Sequence, residues 1–367
     1  MNSQFWKNKK VLVTGHTGFK GSWLSLWLQK LDADVIGFSK SIPTKPSLYQ
    51  LAHVEDGMES IIGDIKNLKE ITKIIQKHKP EIIIHMAAQS LVQESYKDPI
   101  ETYATNIFGT INVMQAIRDL DFVRVLINVT SDKCYENRSL ERGYNENDPM
   151  GGFDPYSSSK GCAEIVTSSF RNSFFNIKEY EKHRTAIASV RAGNVIGGGD
   201  WAADRIIPDC VTAWSTDNLV ELRNPHSTRP WQHVLEPLSG YLNLAIDLSQ
   251  RPELHGEPFN FGPPAQQNHS VLELVQQMAL HWDQVRWQDV SNSIEGPYES
   301  GLLKLNCDKS LHYLHWHAVM GFEDTVRMTA EWYEAYYRQT GNIATVTQSQ
   351  IEAYTEIAKL QKLEWAE

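Results

Sequence analysis

The sequence predicts an α/β fold: a Rossmann-like, doubly wound parallel sheet with a smaller, mixed C-terminal substrate domain. Three observations predict it. Short apolar runs alternate with helical patterns through the first half of the chain, as in successive βαβ units. A glycine-rich turn separates the first apolar run from the first helical pattern. After residue 192 the elements shorten and Trp, Arg and Pro become frequent.

The first strand is Val11-Leu12-Val13-Thr14. Gly15-His16-Thr17-Gly18-Phe19-Lys20-Gly21 follows at once, and residues 22–31 carry Trp23, Leu24, Trp27, Leu28 and Leu31 at helical spacing. Strand, glycine turn and helix form the context in which such glycines bind a dinucleotide. The first permits the turn, the second lets backbone approach a pyrophosphate, and the third brings helix close to strand. The spacing is G-x-x-G-x-x-G rather than G-x-G-x-x-G. A second strand at 34–39 ends in Ser39-Lys40, where an acid for the adenosine ribose is usual. Lys40 tolerates a 2′-phosphate there, so the choice between NAD and NADP stays open.

Residues 61–65 read as a third strand that carries Asp64, a partner for an adenine amino group or a cap for the helix starting near Asn67. The fourth strand, 81–86, runs into Ala87-Ala88-Gln89, where small side chains allow close approach. Residues 99–120 read as one long helix, and 123–129 as a fifth strand ending in Thr130-Ser131-Asp132-Lys133. Strand ends of this kind are where doubly wound sheets bind ligands. Polar turns have the same composition, so the position carries the inference.

Tyr156 and Lys160 lie four residues apart in a helix running to about residue 175, and so share a face. An ammonium beside a phenol favours phenolate, and the pair predicts a Tyr pKa drawn down towards neutrality. Alone, such a pair is usually a solvated helix face; the upstream motifs shift that balance. A sixth strand at 185–192 and a loop at 197–201 end the regular part. Helices are expected at 237–248, 332–338 and 348–363. The domains are therefore placed at 1–192 for the dinucleotide, with a return segment near 228–250, and at 193–367 mainly for the substrate.

The net charge of −10 argues against nucleic-acid or anionic-membrane partners. The four cysteines have no metal-ligand spacing, and they fit a reducing cytoplasm. Neither a signal peptide nor a membrane span is expected.

Taken together, Gly15-x-x-Gly18-x-x-Gly21, Ser131 and Tyr156-x-x-x-Lys160 resemble the extended short-chain dehydrogenase/reductases, from about residue 9 to beyond 335. Three further segments resemble the CDP-hexose branch of the nucleotide-sugar 4,6-dehydratases within it. They are Asp132-Lys133, residues 191–201 (Arg191 to Trp201) and Thr228-Arg229-Pro230-Trp231-Gln232-His233-Val234. The resemblance implies loss of water from CDP-glucose, bound NAD, a homodimer through the helices at 99–120 and 156–175, and a place in deoxysugar synthesis for surface polysaccharide. It implies Ser131, Asp132, Lys133, Tyr156 and Lys160 as catalytic residues. Cofactor contacts fall on residues 15–21 (Gly15, His16, Thr17, Gly18, Phe19, Lys20, Gly21), Ser39, Asp64, Ile65, Ala87, Ala88, Gln89, Tyr156, Lys160 and Arg191. Substrate contacts fall on Ser131, Asn194, Trp201, Arg205, Ile206, Arg229 and Tyr298, with Arg205 and Arg229 for the pyrophosphate. Lys133 is favoured as the acid at the C6 oxygen, ordered by an ion pair with Asp132; a neutral Lys133 acting as C5 base is the alternative. A 4-epimerase or decarboxylase on the same scaffold needs no acid/base pair after Ser131. A non-catalytic NAD(P)-sensing regulator would not need Tyr156 and Lys160.

Overall fold

The computed structural model describes residues 2–264, 266–283, 285–291 and 302–366. Seven strands form one sheet: β1 (Lys10–Thr14), β2 (Asp34–Ser39), β3 (Glu59–Ile62), β4 (Ile82–His85), β5 (Val125–Val129), β6 (Ala186–Arg191) and β7 (Pro258–Asn260). Their spatial order is β7-β6-β5-β4-β1-β2-β3, and every pairing is parallel. The order reverses between β1 and β4, so the crevice beyond their carboxyl ends is where a ligand fits.

The strands are apolar throughout because both faces are covered. Val11 and Val13 point into one core with Trp23, Trp27, Leu238 and Tyr241. Leu12, one residue out of phase, points into the other core with Ile71, Ile75, Val113 and Ile117. The first core is covered by α1 (Phe19–Lys30), and the second by α2 (Leu68–His78) and α3 (Gly109–Ile117). The helix α4 (Pro155–Phe174) is capped by Asp154, whose carboxylate accepts from the Ser157 amide, and has Pro155 in its first turn.

Several elements differ from expectation for identifiable reasons. The helix expected over 99–120 is a short helix (Pro99–Tyr103), a π turn (Ala104–Phe108) and α3. Periodicity does not register one extra residue in a turn. The third strand lies at Glu59–Ile62, two residues earlier than read, because Asp64 belongs to the turn that leads to the Asn67 cap. The chain returns to the sheet through α5 (Leu235–Gln250), which packs on β5 and β6, and then adds β7 beside β6. The last helices are longer than read, Phe322–Tyr337 and Ile343–Leu360. No helix among the described residues is long and apolar enough to cross a membrane.

Candidate active site

The glycine turn sits at the switch point. Gly15 has φ +80°, and a Cβ there would lie 2.8 Å from the Ala87 nitrogen. A Cβ on Gly21 would lie 2.1 Å from the Gly15 carbonyl oxygen. Glycine is therefore required at both positions. The side chains of His16 and Thr17 face the protein. His16 is fully buried; its Nδ1 meets the Ser39 hydroxyl at 2.8 Å and its Nε2 the Ser60 hydroxyl at 2.7 Å. Burial lowers its pKa to about 4, so the ring is a neutral brace. The Thr17 hydroxyl donates to the Ser41 carbonyl at 2.7 Å. What the turn offers a ligand is its backbone, at a helix start where Gly18 supplies no side-chain cap.

The ribose end has an electrostatic answer to the Lys40 question. The Lys40 ammonium lies 3.0 Å from Glu101 and 3.7 Å from Asp64, and Lys66 joins the same two acids. Lys40 is thus neutralised by acids and is no spare cation for a 2′-phosphate. Asp64 is thus taken up by lysines. Ile65 is buried, its carbonyl accepting from the Asn112 amide at 3.0 Å. The Gln89 side chain bonds Leu91 in its own loop and the Thr102 hydroxyl on the short helix Pro99–Tyr103.

One cavity of about 680 Å³ is lined by Lys20, Ser131, Asp132, Lys133, Tyr156, Asn194, Asp200, Arg205, Ile206, Arg223 and Arg229. The turn after β5 and the start of α4 thus meet at it. Ser131 donates to Asp132 Oδ1 at 2.9 Å and hydrogen-bonds the Tyr156 phenol. Asp132 is 4% exposed, and its Oδ2 accepts a long contact, 3.4 Å, from Asn194. A Cβ on Gly193 would lie 1.8 Å from that oxygen, so the glycine makes room for the carboxylate. The Lys133 side chain forms no ion pair with Asp132 among the described residues. That removes the physical ground on which Lys133 was favoured as the acid.

The expected fall in the Tyr156 pKa is also corrected. Burial pushes it up to about 12, against the opposing pull of the Ser131 hydrogen bond. Lys160 donates to the Val129 carbonyl at 3.2 Å rather than to the phenol. Burial brings Lys160 down to about 8, while Glu164 holds it up. With its pKa at about 12, the Tyr156 phenol is protonated at neutral pH.

Three other positions depart from expectation. Arg191 is 2% exposed and its guanidinium is spent inside the protein: Nε and Nη2 on Glu164 at 2.8 and 3.0 Å, and Nη1 on Tyr135 and Glu146. It ties β6 to α4 and offers no donor to a cofactor. Trp201 packs edge-on against Trp332, Tyr333 and Tyr336, outside the wall that carries Tyr156. Its aromatic surface is used in packing. Arg205 is held by Asp200 at 2.6 Å, and its charge lowers the Tyr156 pKa, which places it at the Tyr156 end of the cavity. Tyr298 lies outside the described residues.

Two contributions were missed by sequence reasoning. Arg223 lines the cavity just past the strand Val220–Leu222, with a long 3.8 Å contact to Asp204. No motif marks that strand. Asn106, in the π turn, joins the Gln89 carbonyl to the Ser159 hydroxyl, at 2.9 and 2.8 Å, and so braces the loop after β4 against α4. A π turn is itself a signal of a functional position, but only the structure shows it.

Comparison with known proteins follows the same lines. Residues 12–329 match the family described as GDP-mannose 4,6 dehydratase. The chain is 48% identical over 339 residues to the CDP-glucose 4,6-dehydratase of Salmonella typhimurium, covering 92% of this chain and 94% of that one. Among solved structures, a UDP-glucose-4-epimerase from Stenotrophomonas maltophila with bound NAD and formylated UDP-arabinopyranose superposes with a TM-score of 0.78 at 22% identity, covering 90% and 99% of the two chains. The dTDP-glucose 4,6-dehydratase of Bacillus anthracis, in complex with NAD, superposes with a TM-score of 0.70 at 21% identity, covering 89% and 96%.

Proposed function

The chain belongs to the GDP-mannose 4,6-dehydratase family, and from that membership we propose that it converts CDP-glucose to CDP-4-dehydro-6-deoxy-D-glucose and water. The single observation that carries the reading within the site is the convergence of Ser131, Asp132, Lys133 and Tyr156 on one cavity. It joins a group that can serve oxidation at C4 to groups that can serve elimination across C5 and C6. NAD is the cofactor. The residues fit it: the glycine turn presents backbone beside Ala87, and the acids around Lys40 neutralise the cation that a 2′-phosphate would use. When bound, NAD⁺ would add positive charge to the cleft, drawing Tyr156 towards its base form, and would supply a hydride acceptor for C4 and a hydride donor for C6, so no net redox change occurs.

In this mechanism Tyr156 takes the C4 hydroxyl proton as the ketone forms. Ser131 donates to the developing carbonyl oxygen. The ketone acidifies the C5 proton, and Asp132, placed by Ser131 and Asn194, removes it. The Lys133 ammonium offsets the negative charge that then builds on the sugar. The C6 oxygen leaves with its own hydrogen and one added proton as water, and C5 regains a proton as the hydride returns to C6. Arg223 and Arg229 hold the pyrophosphate, for which guanidinium is suited.

A second copy of the chain completes the molecule. Ile100, Phe108, Ile165 and Phe174 are exposed on the 99–117 segment and α4, with Ile100 81% exposed. Such a stripe matches an isologous dimer face. A monomer in sedimentation at micromolar concentration would contradict it.

The activity is tested by incubating the protein with NAD⁺ and a panel of nucleotide-linked glucoses, and weighing the products. Loss of one water from the CDP sugar, without net NADH, supports the reading. An unchanged mass with inverted C4 would make the protein an epimerase, which Asp132 and Lys133 disfavour. No turnover of any sugar would leave a regulator.

A further inference from the structure

Four consecutive residues where β5 ends, Asn128 to Ser131, each meet one residue of α4. The Asn128 amide donates to the Thr167 hydroxyl at 2.8 Å, and the Val129 carbonyl accepts from the Lys160 ammonium at 3.2 Å. The Thr130 hydroxyl donates to Glu164, and the Ser131 hydroxyl bonds the Tyr156 phenol. This row fixes the catalytic turn on the helix that carries Tyr156. Glu164 is the carboxylate in it, 7% exposed and fully used. Its Oε1 accepts from Thr130 and from Arg191 Nε at 2.8 Å, and its Oε2 from Ser189 and from Arg191 Nη2 at 3.0 Å. It therefore joins α4, β6 and the turn after β5 at one point. Burial raises the Glu164 pKa, but the Arg191 charge and the donors outweigh it and keep the group ionised.

Lys160 stands one turn before Glu164 on the same face of α4. The titratable groups that face its ammonium are Glu164, Cys134 after β5, His85 at the end of β4 and Lys20 in α1. Burial keeps the Cys134 thiol protonated and the His85 ring neutral, so of these four Glu164 alone is negative at neutral pH. Arg191 reaches the carboxylate from β6, whereas Lys160 lies against β5.

We propose that Glu164 is a positioning residue for oxidation at C4: through Thr130 it holds the catalytic turn in register with Tyr156, and through its charge it keeps Lys160 an ammonium. The inference rests on the reading of Tyr156 as the group that takes the C4 proton. An ammonium one helical turn from the phenol favours the phenolate that accepts this proton. A displaced turn would carry the Ser131 hydroxyl away from the phenol and from the developing ketone.

The test uses Glu164→Gln and Thr130→Val in the full chain with NAD⁺ and CDP-glucose, with kcat and KM measured across the pH range. Glu164→Gln keeps the size of the side chain and removes its charge. Its kcat at neutral pH should fall about tenfold or more, with KM within about threefold. The alkaline limb of kcat, where Lys160 loses its proton, should move about one unit lower, because the neighbouring negative charge is gone. Thr130→Val removes the hydroxyl and leaves the ion pair. Its kcat should fall about fivefold, the cost of one hydrogen bond, with the alkaline limb unmoved. If Glu164→Gln does not fold, the limb is read in Glu164→Gln combined with Arg191→Met, which leaves no buried charge unpaired. A folded Glu164 variant with the limb unmoved, or a Thr130→Val protein of unchanged kcat, would overturn the proposal. A lowered melting temperature with kcat and the limb intact would assign Glu164 to folding alone and overturn it too. If the unaltered protein turns over no nucleotide-linked glucose, the reading on which the inference rests has failed, which is a separate result.

Discussion

The glycine turn and the charged wall of the cavity are made in different ways. The turn, at the switch point, is backbone: Gly15 and Gly21 leave no room for a side chain, and His16 and Thr17 are turned inward to hold the turn to β2. The wall that carries Asp200, Arg205, Arg223 and Arg229 is charged side chains on short elements, with Asp200 holding Arg205. The catalytic group, Ser131, Asp132 and Tyr156 joined by hydrogen bonds, lines the same cavity. Backbone shape allows very few residues at a position, whereas a charged wall can be assembled from many sequences. The turn suits a cofactor used without change, and the charged wall suits recognition of a particular sugar nucleotide.

Substitutions can break that contrast, and the largest effect is expected at the catalytic group. Tyr156→Phe removes the group that takes the C4 proton, so kcat should fall about 10²- to 10⁴-fold while NAD⁺ and CDP still bind by calorimetry. A next effect sharpens the charged wall. Arg223→Ala should raise KM about tenfold with kcat little changed, the loss expected when one charge-assisted contact of about 1.5 kcal/mol is removed. An equal loss in kcat would instead place Arg223 at the chemistry. The smallest effect is expected at Trp201, which the structure assigns to packing. Trp201→Phe should lower stability by about 1–2 kcal/mol in denaturant titration and leave KM within about twofold. A tenfold rise in KM would return Trp201 to the substrate wall.

This contrast also explains what was legible in the sequence. β1, the glycine turn and α1 are contiguous, and the steric demands at Gly15 and Gly21 leave a pattern in seven residues. The alternating elements marked the first six strands of the sheet but not β7, whose three residues carry no period of their own. Asp132 and Tyr156 were legible because each lies beside a recognisable strand or helix end. Arg223 was not, since its strand is three residues long and meets the cavity only through tertiary packing. Arg191 and Trp201 show the opposite failure. Both residue types suit ligands, but buried partners claim them: Glu164 for one and Trp332 and Tyr336 for the other. The Tyr156–Lys160 spacing was read as a phenol–ammonium contact. The fold instead gives the ammonium to the Val129 carbonyl, a partner that spacing along the helix cannot reveal.

The central claim is oxidation at C4, loss of water and return of the same hydride to C6. It is tested most directly with CDP-glucose deuterated at C4. The account predicts a product lighter by one water, with the deuterium retained and now on C6, and no net NADH. A product that has lost the deuterium to solvent, or one of unchanged mass with inverted C4, would contradict it.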